Sequence, residues 1–346
     1  MSSKALEQQR AELATALLEL LNSDKQLDWK PGWFSNGFGD GDKNAFTGKR
    51  YNGINLFATY IVRVTRGYED NRWLTFNQAK ELGGSIKKGE KGIGLIKYTE
   101  TDLSTKRPPN WKEINAMPME ERLAYIKENV RAFSNRFIVF NVEQCENLNL
   151  PKNADLKTMS EAELLKNNAL IESVIRNSSA PVLYDGGNRA FYRPATDDIH
   201  LPKIEQFKTK QDYYATALHE IAHSTGHESR LNRNLKNMFG TTEYAREELR
   251  AEISAMFTQS ELGIAIVGEV LESHGAYVEA WREIANVPEE LGIVIKEAQK
   301  ITDYIKENYL PQSATSRAVE QEIAQLEHPT DFETPFTEAL LDEHER

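Results

Sequence analysis

The first element legible in the chain is a leucine stripe, Leu13, Leu17, Leu20 and Leu21, within MSSKALEQQRAELATALLELLNSD. Its spacing predicts an amphipathic helix. The pattern then breaks: residues 29–55 (WKPGWFSNGFGDGDKNAFTGKRYNGIN) are dense in Gly, Asn and aromatics and read as a long shaped loop, a kind of segment that often carries function. Beyond it, LFATYIVRV (56–64) is apolar enough for a buried helix or strand, and TFNQAKELG (75–83) reads as a short helix stopped by Gly83–Gly84. GIGLIKYTE (92–100) and RFIVFNVEQ (136–144) read as strands. Residues 101–132 between them read as an insertion with its own helix, and 147–160 as a polar hinge.

The second half opens with a helix predicted over 160–178. PVLYDGGNRAFYRPATDDIHLP (181–202) then alternates as two strands joined through Gly186–Gly187. Helices are predicted from Asp212 to Thr225, from Thr242 to Leu262, over 268–285 and over 289–307. The fold class expected is α+β in two domains: an α+β unit over 1–150, and a mainly helical unit with a small sheet over 155–310. Residues 311–346 read as an acidic, loosely held tail. A length of 346 residues agrees with two domains, since single cores stop growing near about 250–300 residues.

Charge separates the halves further. The net −11 divides into +3 over residues 1–150 and −14 over 151–346, so the two halves are expected to meet different partners. A mean hydropathy of −0.59 and the lack of a long apolar run argue against a membrane span or a membrane partner. The acidic residues from Glu7 onward do not fit a signal peptide, so a cytoplasmic protein is expected. The one cysteine, Cys145, can build neither an internal disulfide nor a thiolate metal site alone. Any metal must rest on histidines and carboxylates.

Three of the seven histidines stand at 219, 223 and 227 in ALHEIAHSTGHESRLNR. His219 and His223 are i and i+4 on a predicted helix, so both imidazoles can reach one cation, and Glu220 beside them can act as general base on a water. The third ligand is less direct. His227 does not sit where the metzincin pattern needs it, whereas Glu248 and Glu252 are i and i+4 on the next helix, beside the stripe Leu249, Ile253, Met256 and Phe257. Their spacing resembles that of gluzincins, which implies Glu248 as ligand and Glu252 as hydrogen-bond partner of a ligand imidazole; the reverse assignment stays open. So does pairing of both acids with Arg246 or Arg250. Two imidazoles and a carboxylate suit Zn²⁺ first, and Mn²⁺ or Co²⁺ can occupy the same ligands.

Two features could complete a peptidase-like site. His274 and Tyr277 share a helix face in SHGAYVEAW (273–281) and could donate to an oxyanion or simply pack. FYRPATDDIHLP (191–202) could be an edge strand that binds an extended peptide, with His200 either part of it or an ordinary surface residue.

Four of the five tryptophans (Trp29, Trp33, Trp73, Trp111) lie in the first 111 residues with a run of basic residues. Aromatics between cations suit single-stranded nucleic acid, though composition alone fits core rings and solvated lysines as well. The segments NAFTGKRYNGINLF (44–57), WLTFNQAKELGGSIKKGEKGIGLIKY (73–98), FIVFNVEQCENL (137–148), YYATALHEIAHSTGHESRLNR (213–233) and FGTTEYAREELRAEISAMFTQSELGI (239–264) together resemble ArdC-type antirestriction proteins of conjugative plasmids and phage-related elements. Order and spacing match over about residues 5–308; the 101–132 insertion and the tail lie outside the match. The resemblance implies an N-terminal domain that binds single-stranded DNA and a zincin-like metallopeptidase domain. It further implies protection of incoming DNA from host restriction, with an unidentified protein substrate for which the host restriction machinery is the candidate source. The DNA contacts expected are Trp33, Lys43, Lys49, Arg50, Tyr51, Asn55, Arg72, Trp73, Lys87, Lys88 and Lys91. The rival expectation is a single-stranded-DNA-binding accessory or decoy protein with a structural or vestigial metal site and no proteolysis.

Overall fold

In a computed structural model of the chain, the residues described are 4–22, 41–151, 161–185, 187–235, 241–264 and 278–311. Trp33, His274, Tyr277, most of the 147–160 hinge and almost all of the 311–346 tail therefore lie outside them.

The N-terminal half runs α1 (Lys4–Leu21), β1 (Lys43–Asn44), α2 (Gly53–Arg66), β2 (Arg72–Leu74), α3 (Phe76–Glu81), β3 (Ser85–Ile86), β4 (Ile93–Asp102), α4 (Trp111–Ala116), α5 (Met119–Asn129), β5 (Val130–Asn141) and β6 (Cys145–Glu146). The leucine stripe is the buried face of α1. The apolar run 56–64 is the middle of α2, buried without a break from Leu56 to Arg63. Thr75 starts α3 by accepting from the Gln78 N–H, while the Gln78 side chain accepts from the Thr75 N–H, so two of the helix's orphan donors are satisfied. Gly83 ends this segment at φ +77°, a conformation that costs a glycine nothing.

Strands β1-β2-β5-β4 form a sheet in that order, with β1 parallel to β2 and the other pairs antiparallel; β3 and β6 form a separate antiparallel pair. The pairing of β4 with β5 continues from Ile93↔Val139 to Asp102↔Val130. Residues 101–132 thus span the far end of one long hairpin, with α4 and α5 between its two strands.

The C-terminal half runs α6 (Glu161–Arg176), β7 (Val182–Leu183), β8 (Phe191–Arg193), β9 (Asp198–His200), α7 (Lys210–Ser224), α8 (Thr242–Leu262), α9 (Val278–Ala285) and α10 (Pro288–Tyr309). Its sheet corrects the expected two-strand pairing across 181–202. Among the described residues there are three strands in the order β7-β9-β8, and β7, parallel to β9, does not pair with β8. The hairpin closes instead between β8 and β9, where the Asp197 N–H donates to Arg193 O at 2.9 Å with Asp197 at φ +55°.

Among the described residues, a small hydrophobic cluster (Leu74, Ala79 and Cys145) and two large ones make up the core. One joins α1, α2 and the N-terminal sheet to Ala245, Leu249, Ile253, Met256 and Phe257 of α8 and to α9 and α10. The other joins α6, α7 and the small sheet to Ala251 and Ala255 of α8 and to Ile301 and Ile305 of α10. Helix α8 therefore lies between the halves and belongs to both cores.

Candidate metal centre

Helix α7 begins at a capping box between Thr209 and Asp212, and Ala217, Leu218, Ile221 and Ala222 anchor it with no exposed surface. That leaves His219 and His223, one turn apart, on the remaining face. Their Nε2 atoms converge to 3.1 Å. From α8, Glu248 brings Oε2 to 3.6 Å from His219 Nε2 and Oε1 to 3.5 Å from His223 Nε2. Among the described residues, these three form the one group whose ligand atoms all lie within 4.8 Å of one another. Ligand bonds of about 2.0–2.1 Å at tetrahedral angles place donor atoms roughly 3.3–3.4 Å apart, so the spacing fits a divalent cation with a fourth position left to solvent or substrate.

Each outward nitrogen faces a carboxylate, with hydrogen-bond geometry at His223 and as a charge contact at His219. His219 Nδ1 lies 3.3 Å from Glu252 Oε1, and His223 Nδ1 lies 3.4 Å from Glu247 Oε1. A carboxylate on Nδ1 keeps the proton there and turns the Nε2 lone pair inward. Glu248 thus stands at the inner nitrogens and Glu252 behind one of them. Arg246 and Arg250 reach Glu290 and Glu297 at 2.9 and 2.6 Å.

Sequence reasoning missed Glu247. It is 5 % exposed and receives Arg233 Nη2 at 2.8 Å and Arg250 Nη1 at 3.2 Å. Arg233 also donates to Thr225 Oγ1 and to Ala222 O, both at 2.8 Å, and so ties the end of α7 to α8. The available signal was the Glu247–Glu248 doublet: adjacent helix positions are about 100° apart, so both can be buried only if each has its own partner.

Electrostatics follow from this crowding. Burial works against a charged imidazole at His219, but the Glu252 carboxylate, with Glu248 and Glu220, outweighs it and pushes the group up to about 10. Burial likewise opposes charge on Glu247 and Glu248, yet hydrogen bonds and charges from His223 and Arg233 on the first, and from His219 and His223 on the second, hold both near 2.

Glu220 is buried, and its Oε2 accepts the Tyr192 backbone N–H at 2.8 Å. It lines a cleft of about 280 Å³ with the two histidines, Glu247, Glu248, Phe191, Tyr192, Leu235 and Tyr244. One wall is β8, an edge strand. His200 is neither a surface residue nor a ligand. It is 5 % exposed, bound by Asp185 at 2.5 Å and Asp198 at 3.0 Å, and it stacks on Phe191 with centroids 4.6 Å apart. His227 lies outside the cluster and pairs with Ser229 Oγ at 2.8 Å.

The expected DNA contacts separate by exposure. Lys49, Lys87, Lys88 and Lys91 are exposed, Lys43 and Tyr51 half-buried; Arg50 is exposed but donates to Ser260 O at 3.0 Å. Burial pushes the Tyr51 hydroxyl up to about 12. Three residues need correction. Trp73 has no exposed surface and donates Nε1–H to Asp42 at 3.0 Å, so its ring fills the core and offers no face to a base. Arg72 is buried against Asp70 at 2.7 Å and also donates to Pro151 O. Asn55 spends its side chain on the Ile96 N–H and C=O at 2.9 and 2.7 Å, pinning α2 to β4.

Comparison with known proteins adds to this geometry. Residues 7–140 match the N-terminal domain of anti-restriction factor ArdC, and residues 169–300 match a zincin-like metallopeptidase family. The Mn(II)-bound crystal structure of the antirestriction ArdC protein from plasmid R388 superimposes with a TM-score of 0.55 at 28% identity, covering 86% of this chain and 97% of that one. Its metal-free form gives 0.52 at 26% identity, covering 83% and 98%. A DNA primase TraC of Escherichia coli is 35% identical over 323 residues, 92% of this chain; the chain spans only 29% of that protein's length. With an ArdC N-terminal domain followed by a zincin-like metallopeptidase domain, the chain belongs to the ArdC type.

Proposed function

We propose that the protein is an antirestriction factor of a mobile genetic element that binds single-stranded DNA through its N-terminal half and hydrolyses a peptide bond at the α7–α8 centre. The observation that carries the enzymatic part is the convergence of His219, His223 and Glu248 on one point, with Glu220 anchored beside them. A divalent cation there, Zn²⁺ or a neighbour in ligand preference, would supply Lewis-acid chemistry toward a carbonyl and a water. His219, His223 and Glu248 hold it. Glu252 and Glu247 keep the two rings turned inward. Glu220 takes the proton from the attacking water and returns it to the leaving amine, the Tyr192 N–H fixing its carboxylate. An extended substrate adds to the free edge of β8, which borders the cleft.

The test is cleavage of an unfolded protein substrate by the metal-loaded full chain and by Glu220→Gln. Loss of a general base costs about 10²–10⁴ in rate, with metal content unchanged. Equal cleavage by the two would remove Glu220 from the reaction. A second reading, a DNA-binding accessory with a structural cation, has one observation in its favour, the similarity to part of a DNA primase. Undiminished protection of DNA against restriction by Glu220→Gln would select it.

A further inference from the structure

With Trp73 in the core, a nucleic-acid surface needs other rings. Two phenylalanines supply them: Phe46 is 46% exposed and Phe76 59%. Both lie where the chain leaves a strand. Parallel pairing sets Asn44 of β1 opposite Trp73 of β2, so Phe46 follows one strand and Phe76 the other at the same end of the sheet.

The two turns are fastened together. The Asn44 side-chain carbonyl accepts from the Phe46 and Thr47 N–H groups at 3.1 and 2.9 Å, and its amide donates to Gln78 at 2.9 Å. Gln78 is itself fixed by the capping box that starts α3. Both rings therefore stand on ordered backbone, and contact with them costs little further entropy. Segments 43–50 and 75–80 together carry Lys43, Lys49, Arg50 and Lys80 and no acid; Lys49 and Lys80 are exposed. Rings between cations, flanked in the chain by the buried Asp42 and by Glu81 at the end of α3, complement a strand of unpaired bases and phosphates, whereas a duplex hides the base faces that such rings need.

We propose that Phe46 and Phe76 form a stacking platform for bases of single-stranded DNA, with Lys49 and Lys80 on the phosphates. The platform deepens the single-stranded-DNA reading above and rests on it.

The test is fluorescence anisotropy of a labelled oligothymidine of about 16 nucleotides, single-stranded and as a duplex with oligoadenine, titrated with the full chain. Phe46→Ala and Phe76→Ala should each weaken binding of the single strand by roughly 5- to 150-fold, the range for loss of one stacked base. Phe→Trp at the same positions should retain it. Lys49→Ala with Lys80→Ala should flatten the salt dependence by about 1.4 in log–log slope. Both rings are exposed, so the melting temperature should not change. Binding by both alanine variants equal to that of the unaltered chain would overturn the platform and leave DNA binding to another surface. No preference of the unaltered chain for the single strand would overturn the underlying reading and the platform with it.

Discussion

At the scale of residues, the candidate metal centre sets carboxylates behind the proposed ligands as well as among them. Glu247 lies against His223 Nδ1 and also, through Arg233, ties α7 to α8, while Arg233 and Arg250 neutralise its buried charge. Replacing Glu247 by Ala should weaken metal binding by about 10- to 100-fold. Metal titration of the stripped chain checks this. An unchanged affinity would make the Glu247 network a feature of folding alone. The two histidines and Glu220 were legible in sequence because one helical turn fixes their relation. Glu248 and Glu252 were legible as a pair, but which of them faces the inner nitrogens depends on how α8 is rotated against α7, which spacing does not state. Glu247 was signalled only by its doublet with Glu248, because its partner Arg233 comes from a connecting segment with no periodic pattern. Trp73 and Arg72 misled for a related reason: in a sequence, an aromatic beside a cation looks the same whether the ring fills a core, as Trp73 does against Asp42, or faces solvent.

At the scale of elements, α8 joins the candidate site to both cores. One face carries Glu247, Glu248 and Glu252; another packs Leu249, Ile253 and Phe257 against the N-terminal half. Its limits were readable because Thr241 caps its start by accepting the Tyr244 N–H and Gly263 ends it at φ +72°. Phe257 is 1 % exposed, and Phe257→Ala should cost about 3–5 kcal/mol, measured by denaturant unfolding. A cost below about 1 kcal/mol would mean that α8 is not anchored through this ring. Strand pairing was far less legible. The β7–β9 contact is parallel and non-local, and no hairpin signal marks it. Likewise β4 and β5 extend beyond their apolar stretches because the hairpin pairs Thr99 with Phe133 and Thr101 with Arg131, positions that alternation alone leaves undecided.

At the scale of the molecule, the two domains are not beads on a string. Leu13 and Leu17 of α1, Leu56 and Phe57 of α2, and α8, α9 and α10 share one cluster. Arg50 donates to Ser260 O, and Arg282 donates to Leu21 O at 2.8 Å. Hydropathy shows which faces are buried, but not that they are buried against the other half. The full chain should therefore unfold in one calorimetric transition despite having two domains. Residues 155–310 expressed alone, with the apolar face of α8 uncovered, should fail to form a stoichiometric metal site. Two resolved transitions, or a fragment that binds metal like the full chain, would show the halves to be independent.

The most direct test of the central claim is calorimetric titration of the metal-stripped full chain with Zn²⁺ and Mn²⁺. The arrangement of His219, His223 and Glu248 predicts one equivalent bound per chain. Binding should be abolished by His223→Ala and retained by Glu220→Gln, whose carboxylate lies against Tyr192 rather than among the three ligand groups. Stoichiometric binding that survives His223→Ala unchanged would place the metal elsewhere and contradict the account.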